Sequence, residues 1–288
     1  MTQELLRSVL YVPASNDKAL LKATQLAADA VIVDLEDAVS PDGKAEARAR
    51  AAAAIADRDW GDRFVVLRVN ALSSEWGEAD VSAALEASPA AILLPKVSKA
   101  QDLHALGSLL AVARRPIAIW AMIETCEAIL NLADIVRASA SLPLRSLVIG
   151  TNDLAKQMRI RLGPGRQPLQ PVFTQIVIAA RAQGLAVLDG VCNDLQNLER
   201  FREECLQARA FGMDGKTLIH PAQIPLSNDI FGPQPEEVAW ASAVVDAFEH
   251  PDNIGKGVIR IQGEMVELLH LQQARAILTV AQRAKAAG

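Results

Sequence analysis

Glu124 and Asp153 each stand just past an apolar run, in MIETCE and IGTNDLA. Two carboxylates completed by waters and ligand oxygens are what Mg²⁺ prefers, because that ion gives up its hydration shell reluctantly. Histidine is scarce around both positions, which argues against zinc. A second acidic group lies in AVIVDLEDAVSP, residues 30–41, where Asp34, Glu36 and Asp37 follow four apolar residues. Three carboxylates so close together suit a cation or acid–base work. Arg68, in LRVN, carries a planar guanidinium that can fork onto a substrate carboxylate or pair with Glu36 or Asp37. Lys96, in LPKV, offers a charge for a substrate carboxylate, or an amine for a Schiff base. Each residue alone reads equally well as a helix cap or a solvated charge. Their joint placement is what needs explaining.

All of them follow short runs of Val, Ile and Leu. The runs are 8–12, 30–34, 64–69, 90–95, 117–123, 146–150 and 185–189, with a weaker one at 208–212. Continuous rather than alternating hydrophobicity marks strands buried on both faces, as in a parallel sheet. Ala-rich stretches with helical spacing separate the runs; NDKALLKATQLA, with Asn16 as N-cap, is the first of them. About eight βα repeats in roughly 220 residues predict a (β/α)₈ TIM barrel. A doubly wound open sheet would carry a Gly-rich first turn, whereas VPASNDK has no glycine. In a barrel of this kind the strand C-termini form the active-site face. There the exits line up Asp34, Glu36, Asp37, Arg68, Asn70, Lys96, Glu124, Asn152, Asp153 and Asp189. Thr151 or Asn152 is expected to cap a short helix whose first-turn amides face an anion. The pattern changes after residue 225. Residues 1–225 read as the barrel. Residues 226–288 read as an extension of one helix, a hairpin and a last helix, expected to pack on a neighbouring subunit.

Half of the 288 residues are hydrophobic (51%) but only 4% are aromatic, so small aliphatic side chains build the core. The net charge of −5 comes with no basic cluster, which excludes a nucleic-acid footprint. No stretch is apolar enough to span a membrane, and the N-terminal residues do not read as a secretory signal. Cys126, Cys192 and Cys205 fit no zinc spacing and read as free thiols in a reducing cytoplasm.

Seven segments, RSVLYVPAS, DAVIVDLEDAVSPDGKAEAR, LRVN, LPKV, MIET, GTNDLA and GKTLIHPAQI, occur in order across residues 7 to about 280 together with the C-terminal run. Together they resemble the citrate lyase beta-subunit-like family, which includes malyl-CoA, citramalyl-CoA and citryl-CoA lyases. The resemblance implies a Mg²⁺-dependent carbon–carbon lyase. It would cleave a 3-hydroxyacyl-CoA thioester into an acyl-CoA and a 2-oxo acid. It also implies Glu124 and Asp153 as metal ligands, Arg68 on the substrate carboxylate, and Glu36 and Asp37 supporting the metal waters and Arg68. Lys216 falls in the segment beside the CoA region and is expected to bind substrate, while His220 reads as structural. A homo-oligomer, trimer or hexamer, is implied. Many relatives carry G-x-M-(I/V)-D-x-P near the C-terminus, with the Asp acting in a neighbouring subunit. This chain reads GEMVELLHLQQA, with Glu267 at the Asp position and Leu269 at the Pro. The extra methylene moves the carboxylate by about 1.5 Å, and a displacement of that size costs about a hundredfold in a positioned step. Two other readings stand beside the lyase. One is a pyruvate aldolase acting on a free hydroxy-oxo acid. The other is a non-catalytic subunit of a citrate lyase complex.

Overall fold

A computed structural model describes residues 4–261 and 263–286; Met1 to Gln3 of the N-terminal stretch and Gln262 of the C-terminal hairpin lie outside them. Among the described residues, eight parallel strands close into a barrel in sequential order. They are β1 (Ser8–Pro13), β2 (Ala30–Asp34), β3 (Phe64–Arg68), β4 (Ala91–Leu94), β5 (Ala118–Ile123), β6 (Leu144–Ile149), β7 (Ala186–Asp189) and β8 (Gly215–Leu218). Between them run α1 (Asp17–Ala23), α2 (Lys44–Asp57), α3 (Gly77–Ala87), α4 (Ala100–Leu110), α5 (Cys126–Leu130), α6 (Leu132–Arg137), α7 (Thr151–Met158), α8 (Gln170–Arg181) and α9 (Leu198–Ala210). Asn16 caps α1 as expected, its side-chain oxygen accepting from the Ala19 N–H at 3.0 Å.

Period-2 alternation sorts each strand into two layers. Val9, Ala30, Ile32, Val66, Leu93, Trp120, Val148 and Leu188 fill the barrel interior, where Phe64 and Trp120 stack with ring centroids 5.6 Å apart. Their neighbours along each strand point outward and meet the apolar helix faces. The barrel is therefore a packed, largely apolar core; its inward charged residues Asp34 and Arg68 stand where the strands run out, and Ser146 is a polar exception within it.

The eighth strand differs from expectation. The run at 208–212 is the end of α9 and the turn after it, and β8 lies at Gly215–Leu218. Its lysine and threonine disguise it as a loop. The helix expected after residue 226 is two helices, α10 (Ile224–Phe231) and α11 (Pro235–Glu249), broken where Gly232 and Pro233 interrupt the pattern. Helix α10 packs on β1, β8 and α9, completing the outer layer. Helix α11 instead joins the hairpin β9 (Val258–Ile261) and β10 (Glu264–Glu267) and helix α12 (Leu268–Ala286) around an apolar cluster of their own, centred on Val244, Phe248, Ile259, Val266 and Ala274. Among the described residues, no helix is long and apolar enough to cross a membrane.

Candidate active site

The inward positions nearest each strand exit build the mouth. On β2, Asp34 follows Ala30 and Ile32; on β3, Arg68 follows Val66. The two strands are in register at these residues, and the side chains meet in a fork, with Arg68 Nε 2.6 Å from Asp34 Oδ1 and Nη2 2.6 Å from Oδ2. Arg68 Nη1 reaches Glu36 Oε2 at 2.6 Å and Asp37 Oδ2 at 3.2 Å. Burial opposes the charge on Arg68, but Asp34 and the carboxylates around it keep the guanidinium protonated well above its ordinary range.

Asp34 also shapes the acidic turn. It accepts the N–H groups of Glu36 at 2.9 Å and Ala38 at 3.3 Å. From behind, the buried Lys44 ammonium donates to the carbonyls of Leu35 and Glu36 and to Asn70 Oδ1, at 2.7 to 2.8 Å. Burial pulls the Lys44 pKa down, against the attraction of Asp34 and Glu36. Burial likewise pushes the Glu36 carboxyl up to about 7 despite Arg68.

Across the mouth, β5 and β6 end in register and deliver Glu124 and Gly150 side by side. A Cβ on Gly150 would sit 2.4 Å from the Glu124 Cβ, so only glycine lets the two exits close up. Gly150 is also the N-cap of α7, where Thr151 or Asn152 was the expected cap; the first turn carries Asp153 and has no side-chain cap. The Glu124 and Asp153 carboxyls lie close enough to act on each other's titration. Lys96 Nζ lies against both, 2.5 Å from Asp153 Oδ2 and 3.3 Å from Glu124 Oε1. The Lys96 backbone is left-handed, with φ 56, and its N–H donates to Glu124 Oε1 at 2.8 Å. A non-glycine residue held there costs on the order of 1–3 kcal/mol, a strain typical of working sites.

Burial pushes Glu124 up to about 7, against the pull of Lys96. Burial also disfavours the Asp153 anion, but hydrogen bonds from Lys96 and Glu124 outweigh it and hold that carboxyl below its usual range. One ammonium thus faces two carboxylates, one of them starved of positive charge. Among the described residues, no group of three or more His, Cys, Asp or Glu converges as a metal cage. An oxygen-only pair that leaves further positions to water and ligand fits Mg²⁺. The same geometry disfavours a Schiff base at Lys96: its pKa is raised by Asp153 and Glu124 against the effect of burial, the reverse of an activated amine. Between the two halves of the mouth lies a cavity of about 330 Å³, lined by Tyr11, Arg68, Met122, Glu124, Asp153 and Asn193 among others.

Two expected site residues lie elsewhere. Lys216 is outward-facing on β8 and fully buried, with Nζ 2.6 Å from Asp189 Oδ2, 2.6 Å from the Gly190 carbonyl and 3.1 Å from Glu204 Oε2. The inward residue of that strand is Thr217, which lines the cavity. Lys216 therefore braces the wall from outside instead of meeting substrate. Glu267 ends β10, its backbone N–H donating to His270 Nδ1 at 2.9 Å, and it is not among the residues lining this cavity. His220 caps the turn after β8, accepting from the Ala222 N–H. The residue types drew attention to Asp34 without assigning it a task, and missed Tyr11; the parity of the inward positions 30, 32, 34 and 9, 11 would have marked both.

Residues 7–221 match the family model described as HpcH/HpaI aldolase/citrate lyase. The chain is 46% identical over 276 residues to a (3S)-malyl-CoA thioesterase of Cereibacter sphaeroides, covering 96% of this chain and 94% of that one. It is 31% identical to the mitochondrial citramalyl-CoA lyase of Rattus norvegicus, over 96% and 86% of the two chains. Among solved structures, CitE of Mycobacterium tuberculosis in complex with magnesium, acetoacetate and coenzyme A superposes with a TM-score of 0.77 at 28% identity, covering 96% of this chain and 97% of that one. With the barrel, the motif order and these matches in agreement, the chain belongs to the HpcH/HpaI aldolase/citrate lyase family.

Proposed function

We propose that this protein is a Mg²⁺-dependent carbon–carbon lyase that cleaves a 3-hydroxyacyl-CoA thioester of the malyl, citramalyl or citryl type into an acyl-CoA and a 2-oxo acid. The observation that carries the reading is the facing of Arg68 and the Glu124–Asp153 pair across one cavity. That spacing suits a ligand with a carboxylate next to a second oxygen. Glu124 and Asp153 would hold the ion, which when bound supplies Lewis acidity to that second oxygen. Arg68 takes the carboxylate. Asp34 and Asp37 accept hydrogen bonds from three of its five N–H groups, and Glu36 pairs with it as a charge. The long contact is to Asp37, whose side chain is 68% exposed, so it is the one a substrate carboxylate replaces. Asp34 and Lys44 keep Arg68 and the acidic turn fixed during that exchange.

A base must reach the carbon that carries the developing negative charge. Glu267 is assigned that role, acting in the mouth of a neighbouring copy in a homo-oligomer. Val258, Met265, Leu268 and Leu269 around it are 46–64% exposed, which supports packing against another chain. In cleavage the 3-hydroxyl gives up its proton and its oxygen becomes the carbonyl of the 2-oxo acid as the carbon–carbon bond breaks. The electron pair passes to the thioester enolate, the Glu267 carboxyl delivers a proton to that carbon, and the hydroxyl proton, passed through solvent, restores the Glu267 carboxyl. Glu267→Ala is expected to lower turnover about a hundred- to ten-thousandfold without changing Mg²⁺ binding. Full activity in that variant would remove Glu267 from the site.

The thioesterase relative favours a second reading, hydrolysis of the same thioester class. The two differ in products. Purified protein given malyl-, citramalyl- or citryl-CoA with Mg²⁺ yields acyl-CoA and 2-oxo acid if it is a lyase, and free CoA with the hydroxy acid if it is a hydrolase. Turnover of free hydroxy-oxo acids alone would overturn both.

A further inference from the structure

Tyr11 is the one tyrosine of the chain. It stands on β1, inward and above Val9, and its ring lines the cavity. The Arg68 guanidinium carbon lies 4.9 Å from the ring centroid, stacked over its face. Packing alone would explain a phenylalanine here. The hydroxyl needs its own reason, because its oxygen is closed off from bulk water and has no hydrogen-bond partner among the described residues. A buried phenol normally finds a partner, and leaving one unpaired is costly. The side chains packed directly around the ring are mostly aliphatic and aromatic, and the nearby carboxylates Asp34, Glu36 and Glu124 make no hydrogen bond to the phenol. The cavity that the Tyr11 ring lines is the route by which a ligand oxygen can come to it.

We propose that the Tyr11 hydroxyl donates a hydrogen bond to the substrate carboxylate that Arg68 engages, and so serves as a second anchor for the 2-oxo acid half of the ligand. This rests on the lyase reading for the identity of that ligand. The geometry supports it in two ways. A carboxylate that takes the place of Asp37 at Arg68 arrives beside the ring over which the guanidinium sits. A carboxylate also has lone pairs to spare after meeting one guanidinium edge. The phenol stays a donor at any working pH, because burial, reinforced by Asp34, Glu124 and Glu36, pushes its ionisation well above the ordinary value despite Arg68. An oxygen lacking a charge would gain less, because hydrogen bonds to charged groups are about twice as strong as neutral ones. Tyr11 is therefore placed to favour an oxo acid over its ester or amide.

The test is Tyr11→Phe, which keeps the ring, its stacking on Arg68 and its packing. Binding of pyruvate, glyoxylate and oxaloacetate is measured by calorimetry in the presence of Mg²⁺, for wild type and variant. The expected result is a Kd, and a matching KM with the thioester, raised about 10- to 100-fold, with kcat little changed, as for loss of uniform binding. The unliganded variant should melt at the wild-type temperature or above it, because an unpaired buried group has been removed; a merely structural hydroxyl would lower it. Wild-type protein labelled with ¹³C at the tyrosine ζ-carbon gives a reporter for Tyr11 alone, and its resonance should move when the oxo acid binds. Equal affinity in wild type and variant with an unmoved resonance overturns the Tyr11 anchor while leaving the lyase reading intact. Failure of wild-type protein to bind any of the three acids overturns both.

Discussion

Glu124→Gln is expected to cut Mg²⁺-dependent turnover about a thousandfold or more, because an ion that supplies several kcal/mol of charge stabilisation loses its buried ligand. The Glu124 side chain is 1% exposed and faces a cavity that has only Asp153 as a second carboxylate on that side. Gln keeps an oxygen for the Lys96 N–H, so the strained backbone at Lys96 retains its partner. The barrel should fold as before, since the change removes a buried charge instead of stranding one. Titration calorimetry with Mg²⁺ alone separates the two roles of the residue: the variant should bind the ion far more weakly than wild type with no substrate present. Wild-type affinity and turnover in Glu124→Gln would move the metal off this pair. Chelation of Mg²⁺ in wild type should reproduce the same loss of turnover.

The largest stability effect is expected outside the mouth, at Asp189. Its carboxylate is fully buried and receives Arg166 Nη1 at 2.8 and 2.9 Å, Lys216 Nζ at 2.6 Å and the Gly190 N–H at 2.9 Å. Asp189→Asn would leave two buried cations with Glu204 as their remaining carboxylate, at 3.1 Å from Lys216 and 3.9 Å from Arg166. Stranding buried charge in this way costs about 3–5 kcal/mol. Chemical denaturation at neutral pH should show that loss, and Lys216→Met in the same background should recover part of it. The effect has a pH signature. Burial alone would raise the Asp189 pKa, but Lys216 and Arg166 win and hold it below the ordinary carboxylate value. The unfolded chain titrates near about 3.9, so the stabilisation is complete above that value and is lost as pH falls through the lower folded pKa. The gap between wild type and variant should be flat from neutral pH down to about 5 and should shrink below about 4. A gap that widens in acid would contradict the assignment.

These two residues also show what a linear reading reaches. Glu124, Asp153, Arg68 and the Glu36–Asp37 pair stand at the ends of apolar runs, and a run of β-branched residues buried on both faces is legible without coordinates. The closed parallel barrel was read from seven such runs and a weaker eighth at 208–212, and the seven strands held their places. The eighth strand did not, because in GKTL the charge of Lys216 is neutralised by Asp189 and Glu204, partners 27 and 12 positions away. No local pattern reveals that a lysine is buried when its counter-ions come from another strand and a helix. Lys216 was expected to bind substrate for the same reason, whereas it is fully buried against Asp189. Strand parity sends Thr217 inward and Lys216 outward, and parity is invisible until the strand is located. The fork between Asp34 and Arg68 depends on the register of β2 and β3, which spacing does not give. The strained backbone at Lys96 likewise has no sequence signature, since left-handed conformation is ordinarily the mark of glycine or asparagine.

Helix α11, the hairpin and α12 gather around apolar residues that belong to neither layer of the barrel. Glu267 is carried by that unit, whereas the groups gathered around the cavity are carried by the barrel. The two parts of the chain are thus under separate packing constraints. Substitutions near residue 267 can accumulate without repacking the strands that hold Arg68, Glu124 and Asp153. The residues proposed to grip the ligand and the residue proposed to move the proton thus sit on parts that pack independently. In the proposed lyase, exchanging the one carboxylate at Glu267 would therefore alter the proton chemistry while the strands that carry Arg68, Glu124 and Asp153 keep their packing.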